Sequence, residues 1–460
     1  MSSTPVLKPP AQKRLTRKIV LIGALPIMLA NAGAPLVGFV DTWVVGNFEG
    51  REALAGIGLG AVIFGIFYWG FGFLRMSTAG LSAQADGADD QHSVQAHLFR
   101  AVPMGFAIGM VILLLQGFLI HGIMQFFPAE SAVADGARDY LHARIWGLPA
   151  ILSSIALMGW FIGLARPGRA LQMQIVLNLI NAPLSLLFVV KFGWGLSGVG
   201  YASAIAEWCG LLAGLMLALG EIKSRGGFDK LATRLMVLLD VEALKKLATA
   251  NGNIFVRTVA LTLGFTFFAR AATEQGTTFL AAHTVLMQFI TMIALVLDSF
   301  ANVAEARVGS AYGAGDKRRF NRAVRLTSEF SFIFALLCGL LVYILGPWVI
   351  DQLTTDVAVR ATARLYLPYC ALTPILGFAA WQLDGIFIGI TRTAAMRNAG
   401  VVAVLIYLLA HYTLEPKFGG AGVWSAFLIY YVARAVTMLP AWPSIKRDLS
   451  GISVENDRKT

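Results

Sequence analysis

Gly159-Trp-Phe-Ile-Gly-Leu-Ala-Arg166 is written a second time in this chain, as Gly385-Ile-Phe-Ile-Gly-Ile-Thr-Arg392. The separation, from Gly159 to Gly385, is 226 positions. At that offset the whole region Gly50 to Gly193 falls on Gly276 to Gly419 without a gap. Ala137-Arg138-x-Tyr140-Leu141 lands on Ala363-Arg364-x-Tyr366-Leu367, and Lys191-Phe192-Gly193 lands on Lys417-Phe418-Gly419. Solenoid repeats have much shorter periods. This is one duplicated half-molecule, and in an apolar chain that pattern points to a transporter.

Hydrophobic residues make up 57% of the chain and charged residues 14%, where a soluble domain averages about 25% charged. Twelve apolar runs lie near 19–45, 53–81, 98–120, 141–165, 170–190, 196–220, 247–269, 277–306, 328–350, 363–390, 398–414 and 421–445. Each approaches or exceeds the roughly 20 residues that cross a hydrocarbon core. Lipid offers no partner to free backbone groups, so each run must be helical. The runs do not alternate polar and apolar residues as barrel strands do. The expected fold is therefore an all-α integral membrane protein of twelve spans in two six-helix lobes. Six spans per half put both halves in the membrane the same way up, related by a pseudo-two-fold axis along the membrane normal. The boundaries read from the sequence are a tail (1–14), an N-lobe (15–222), a linker (223–246), a C-lobe (247–445) and a second tail (446–460). Residues 231–247 alternate apolar and charged positions, the pattern of a helix lying on the inner surface.

The net charge of +11 is distributed along alternate loops rather than gathered into a nucleic-acid patch. Basic residues fill the N-terminal tail, the 4–5 loop (Arg166, Arg169), the central loop (Lys223, Arg225, Lys230, Arg234, Lys245, Lys246) and the 8–9 loop (Lys317, Arg318, Arg319, Arg322, Arg325). The 10–11 loop (Arg392, Arg397) and the C-terminal tail continue the series. By the positive-inside rule that side, with both termini, is cytoplasmic. No glycine-rich phosphate loop is present, and Cys209, Cys338 and Cys370 lie in separate spans with neither metal-site nor disulfide spacing. No cleavage pattern follows the first span, which is expected to remain. The acidic stretch Asp86-Gly-Ala-Asp89-Asp90-Gln-His92 suggests a metal motif. Its repeat, Tyr312-Gly-Ala-Gly315-Asp316-Lys317, keeps only the glycine and the last aspartate. What survives duplication is a turn and an N-cap.

A charge at bilayer depth costs roughly 2.5–3.5 kcal/mol, so each one asks for a reason. Asp41 lies in the outer part of span 1 with no cation one turn away, a candidate reversible proton carrier; the alternative places it at the outer interface. Pro26 and Pro35 in the same span remove backbone hydrogen bonds and allow bending. Asn178, Asn181 and Ser185 share one face of span 5 and either line a wet cavity or join helices by hydrogen bonds. Glu207 in span 6 has the same two readings. In the second half Asp298 and Glu305 share a face of span 8, and Asp384 lies in span 10. Arg257 and Arg434 are candidate ion-pair partners. Arg75, near the inner end of span 2, is expected to snorkel to the interface.

These residues resemble those of the multidrug and toxic compound extrusion (MATE) transporters, and look closest to their DNA-damage-inducible-F (DinF) branch. The strings are Pro35-Leu-Val-Gly-Phe-Val-Asp41-Thr-Trp-Val-Val-Gly46, Phe73-Leu-Arg75-Met-Ser-Thr-Ala-Gly80, Val296-Leu-Asp298-Ser-Phe-Ala-Asn-Val-Ala-Glu305-Ala and Leu383-Asp384-Gly-Ile-Phe-Ile-Gly389-x-Thr-Arg392. The resemblance runs from about Leu15 to Ser444. It implies a monomeric antiporter in a bacterial inner membrane, not an enzyme. Such an antiporter exports drug-like, often cationic, compounds against protons or sodium by rocking its lobes, with no cofactor and no resident metal. It makes Asp41 the central ion site of the N-lobe, Asn181 its neighbour and Pro26 the bending proline. Acids matching Asp298, Glu305 and Asp384 occur in the family as coupling sites or as structural ion pairs. Many relatives carry an aspartate where this chain has Ser185, which makes a two-carboxylate sodium site less favourable here. The rival readings are a flippase or exporter of lipid-linked or organic-anion substrates such as citrate, and, more remotely, a membrane-embedded lipid enzyme.

Overall fold

A computed structural model describes residues 15–126, 130–229 and 240–449. Its twelve spans are Arg17–Phe48, Glu52–Gly87, Gln91–Leu114, Ser131–Gly163, Pro167–Lys191, Gly195–Ser224, Val241–Glu274, Thr277–Gly313, Lys317–Leu353, Val357–Gly389, Thr393–Phe418 and Gly420–Leu449. Among the described residues there is no strand. The helices overrun the apolar runs at nearly every end, because hydropathy marks only the lipid-crossing part and the hydrogen-bonded ladder continues into polar flanks. Three spans are broken, span 12 among them at Thr437–Ala441, and span 5 ends in a π-helical turn at Leu187–Lys191. Span 2 changes helix at Phe71–Gly72, and span 4 tightens into a 3-10 turn at Ile145–Gly147. Residues 230–239, where most of the surface helix was expected, lie outside the described residues; Val241 to Leu247 form the first turns of span 7.

The duplicated motif has a packing reason. Gly159 presses against the carbonyl of Arg75, and Gly385 against that of Ala301, where any Cβ would overlap. Gly163 meets the Ala79 carbonyl, and Gly389 the Glu305 carbonyl. Each contact in the N-lobe thus recurs in the C-lobe at the repeat offset, between spans 2 and 4 and between spans 8 and 10. Small residues let these backbones approach closely, which is how membrane helices associate without a hydrophobic drive. The loops repeat too. Ala165 and Thr391 both take left-handed conformations (φ 54 and 55), as do Asp89 and Gly315 (φ 59 and 67). Asp90 accepts from the Ser93 amide and Asp316 from the Arg319 amide, each at 2.9 Å. The acidic stretch is therefore a turn and cap, and Asp86 pairs instead with Arg225 at 2.5 Å.

The lobes meet along spans 1 and 2 on one side and span 8 with its neighbours on the other. Gly87 packs on the Ser310 carbonyl and Gly313 on the Gln84 carbonyl. Ser310 is the repeat equivalent of Gln84, so this contact maps onto itself and the pseudo-two-fold runs through it. Gly80 packs on the Ile388 carbonyl. The Gln84 side-chain amide donates to the Gly389 carbonyl (3.0 Å) and the Thr391 hydroxyl (3.1 Å). Val20, Ala24 and Ile27 of span 1 pack with Phe300, Val303 and Leu326, and Arg17 pairs with Glu329 at 2.6 Å. Among the described residues these contacts run from mid-span to the face of the basic loops. None of these contacts continues toward the opposite face, and the exposure of mid-span Asp298, within reach of Arg75 of one lobe and Arg257 and Arg434 of the other, marks a cleft there.

Candidate functional site

Asp41 is 2% exposed and makes no ion pair among the described residues. Its Oδ1 accepts from the Ser185 hydroxyl at 3.0 Å and the Asn181 amide at 3.4 Å, and its Oδ2 from the Ser203 hydroxyl at 2.9 Å. Asn181 also donates to Ser203 at 2.8 Å. A buried carboxylate is costly unless donors replace its water, and three side chains do so here. Four-residue spacing brings Asn181 and Ser185 of span 5 together on Asp41, while span 6 supplies Ser203. Asn178, on the same helix, turns away and donates to its own Gln174 carbonyl at 2.8 Å. Span 1 stays helical past both Pro26 and Pro35; the Pro35 side chain lies outside the described residues.

Glu207, one turn beyond Ser203, faces Arg144 of span 4 at 2.6 Å. The Arg144 guanidinium lies over the Phe64 ring, 4.5 Å from its centroid. Gly147 leaves room for the Glu207 carboxylate, which any side chain at that position would strike. Ser203 and Arg144 carry no mark of this site in the sequence. Ser203 is a lone hydroxyl between alanines with no partner nearby in the chain. Arg144 stands at the mouth of an apolar run and passes for a loop cation.

The C-lobe acids separate into three environments. Asp384 is held by both Arg257 and Arg434, the latter at 2.9 Å. Glu305 is fully buried and pairs across the lobe boundary with Arg75 at 3.2 Å, while Arg75 also donates to Asn302 at 3.0 Å. Arg75 therefore turns inward rather than snorkelling, because its neighbours across the seam are acceptors. Asp298 has no salt bridge or hydrogen bond among the described residues. It is exposed although mid-span, within reach of the charges of Arg75, Asp384, Arg257 and Arg434, and so faces the cleft. Among the described residues no His, Cys, Asp and Glu group could hold a metal ion.

The arrangement can store a proton on a buried acid in one lobe and present a free acid to the cleft from the other. Comparisons with known proteins show the family. The MatE family model matches residues 26–187 and again 254–413, once in each half. The chain is 30% identical over 419 residues to DNA damage-inducible protein F of Escherichia coli (strain K12), covering 91% of this chain and 90% of that protein. It is 26% identical over 436 residues to a probable multidrug resistance protein NorM of Rhizobium meliloti (strain 1021), covering 90% of each. A crystal structure of MATE in the bent conformation superimposes with a TM-score of 0.85 at 17% identity, over 96% of this chain and 98% of that one.

Proposed function

The chain belongs to the MatE family, and on that footing we propose that it is a secondary antiporter that exports drug-like, cationic or amphipathic organic compounds in exchange for protons, with Asp41 as the coupling carboxylate. Members of the family are transporters and not enzymes, which sets the lipid-enzyme reading aside. The observation that carries the proposal is Asp41 itself: a buried acid with three neutral donors and, among the described residues, no ion pair. Gaining a proton there changes which of those donors are needed, and so changes how spans 1, 5 and 6 fit together. Pro26 gives span 1 a place to bend in response. Asp298, free in the cleft, supplies a negative charge to a cationic substrate, whereas Asp384 and Glu305 are occupied by arginines. Sodium is the alternative coupling ion. The basic-loop face is assigned to the cytoplasm of a bacterial inner membrane, with both termini there, and the working unit is a monomer without a cofactor.

A second reading draws on one feature. Two guanidiniums converge on the single Asp384 carboxylate, with Asp298 as the second acid within reach, and an organic anion such as citrate would be drawn to them if Asp298 were protonated. Proteoliposomes decide between them. Under an imposed proton gradient, export of a fluorescent cationic dye is expected, and Asp41→Asn abolishes it. Failure with cationic dyes, together with transport of an organic anion, would overturn the first reading in favour of the second.

A further inference from the structure

Four buried polar atoms without hydrogen-bond partners among the described residues lie in the N-lobe site: Nε and Nη1 of Arg144, Oε2 of Glu207 and Oδ1 of Asn181. A buried guanidinium ordinarily forks onto a carboxylate with two aligned hydrogen bonds. Arg144 instead touches Glu207 through Nη1 alone, out of alignment, while its charge also acts on Asp41. It is paired with Glu207, and Glu207 stands one helical turn from Ser203, which holds Asp41.

We propose that Arg144 selects the coupling ion: paired to Glu207 one helical turn from the Asp41 site, its guanidinium is a tethered cation that leaves the N-lobe site room for one proton and none for sodium. The inference rests on Asp41 being the coupling site and deepens that reading. Every element around the site contributes to the count. Span 1 brings Asp41, span 2 Phe64 and Tyr68, span 4 Tyr140 and Arg144, span 5 Asn181 and Ser185, and span 6 Ser203 and Glu207. Two carboxylates against one guanidinium leave a single negative charge, which one monovalent cation cancels. A hard metal ion must be surrounded by about six oxygens. Both Asp41 oxygens already take donors, and the free oxygen of Glu207 belongs to a carboxylate that already faces Arg144. A metal ion placed there would lie against a charge of its own sign. A proton binds one oxygen and needs no shell.

The test needs no substrate. Thermal melting of the purified full-length protein is compared in about 100 mM sodium chloride and in choline chloride at equal ionic strength. The deciding variant is Arg144→Met with Glu207→Gln, which removes the tethered cation while leaving the site's net charge unchanged. Wild type and Arg144→Lys are expected to melt alike in both salts. The double variant is expected to gain about 3 °C in sodium, and to lose that gain when Asp41→Asn is added. An Asp41-dependent sodium response in the wild type overturns the proposal. So does a cooperatively melting double variant that ignores sodium. Should the methionine form fail to fold, Arg144→Gln with Glu207→Gln carries the same expectations. A wild type that shows no proton-driven export would sink the antiport reading and leave this ion-binding result standing.

Discussion

Asp41 keeps its geometry through hydroxyls that can rotate, so an amide in its place can be accommodated. Asp41→Asn should therefore cost stability no more than about 1 kcal/mol, while dye export falls at least about tenfold, to background. Ser203 supplies the donor on the other oxygen, and hydrogen bonds to a charged group are worth about 1.5–3 kcal/mol. Ser203→Ala should destabilise by that amount at high pH, where Asp41 is ionised, and by less at low pH, where it is protonated. Melting curves across pH read the difference. A residue of another kind is Ala165, left-handed at φ 54, a conformation that costs L side chains about 1–2 kcal/mol. Ala165→Gly is expected to stabilise by about 1 kcal/mol, measured in detergent melts. Its twin Thr391 gains less from the same change, because Thr391 also accepts from Gln84. Asp41, Asn181 and Ser185 were legible in the sequence, since an acid in an apolar run and polar residues at helical spacing announce themselves. Ser203 and Arg144 were not, because their meaning comes from neighbours on other spans.

The duplicated glycines fall into two groups with separate consequences. Those inside a lobe, such as Gly163 and Gly389, let span 4 lie on span 2 and span 10 on span 8. Forcing a methyl into such a backbone contact overpacks it, typically by 1–3 kcal/mol. Gly163→Ala should lower thermal stability accordingly, and a matching loss from Gly389→Ala would confirm that the two packings are equivalent. The existence and number of spans followed from hydropathy alone. Their interruptions did not: Phe71–Gly72 and Ile145–Gly147 sit within apolar stretches, and only the neighbours against which the chain must turn explain them. The metal-like acidic stretch reads as a cap because its twin lacks the extra acids, and both aspartates do cap their helices. The duplication acted there as an internal control.

The glycines between lobes govern the molecule as a whole. Gly87 and Gly313 seal the basic-loop face by direct contact with backbone of the opposite lobe. Side chains there leave each lobe intact while prying the two apart. Gly313→Ala is thus expected to shift spin-label distances across the opposite face toward closure without a fall in melting temperature. The bridge from Arg75 to Asn302 and Glu305 ties the same seam higher up. Loss of a charge-assisted bond worth about 1.5–3 kcal/mol changes a two-state ratio by tenfold or more, so Glu305→Gln should move the same labels further. The seal also speaks to ancestry. Because Gly87 against Ser310 and Gly313 against Gln84 are one contact seen twice, each half of the chain carries both sides of it. A single half could have closed on a second copy of itself, so the joined gene inherited a working mouth before its two halves took up different chemistry.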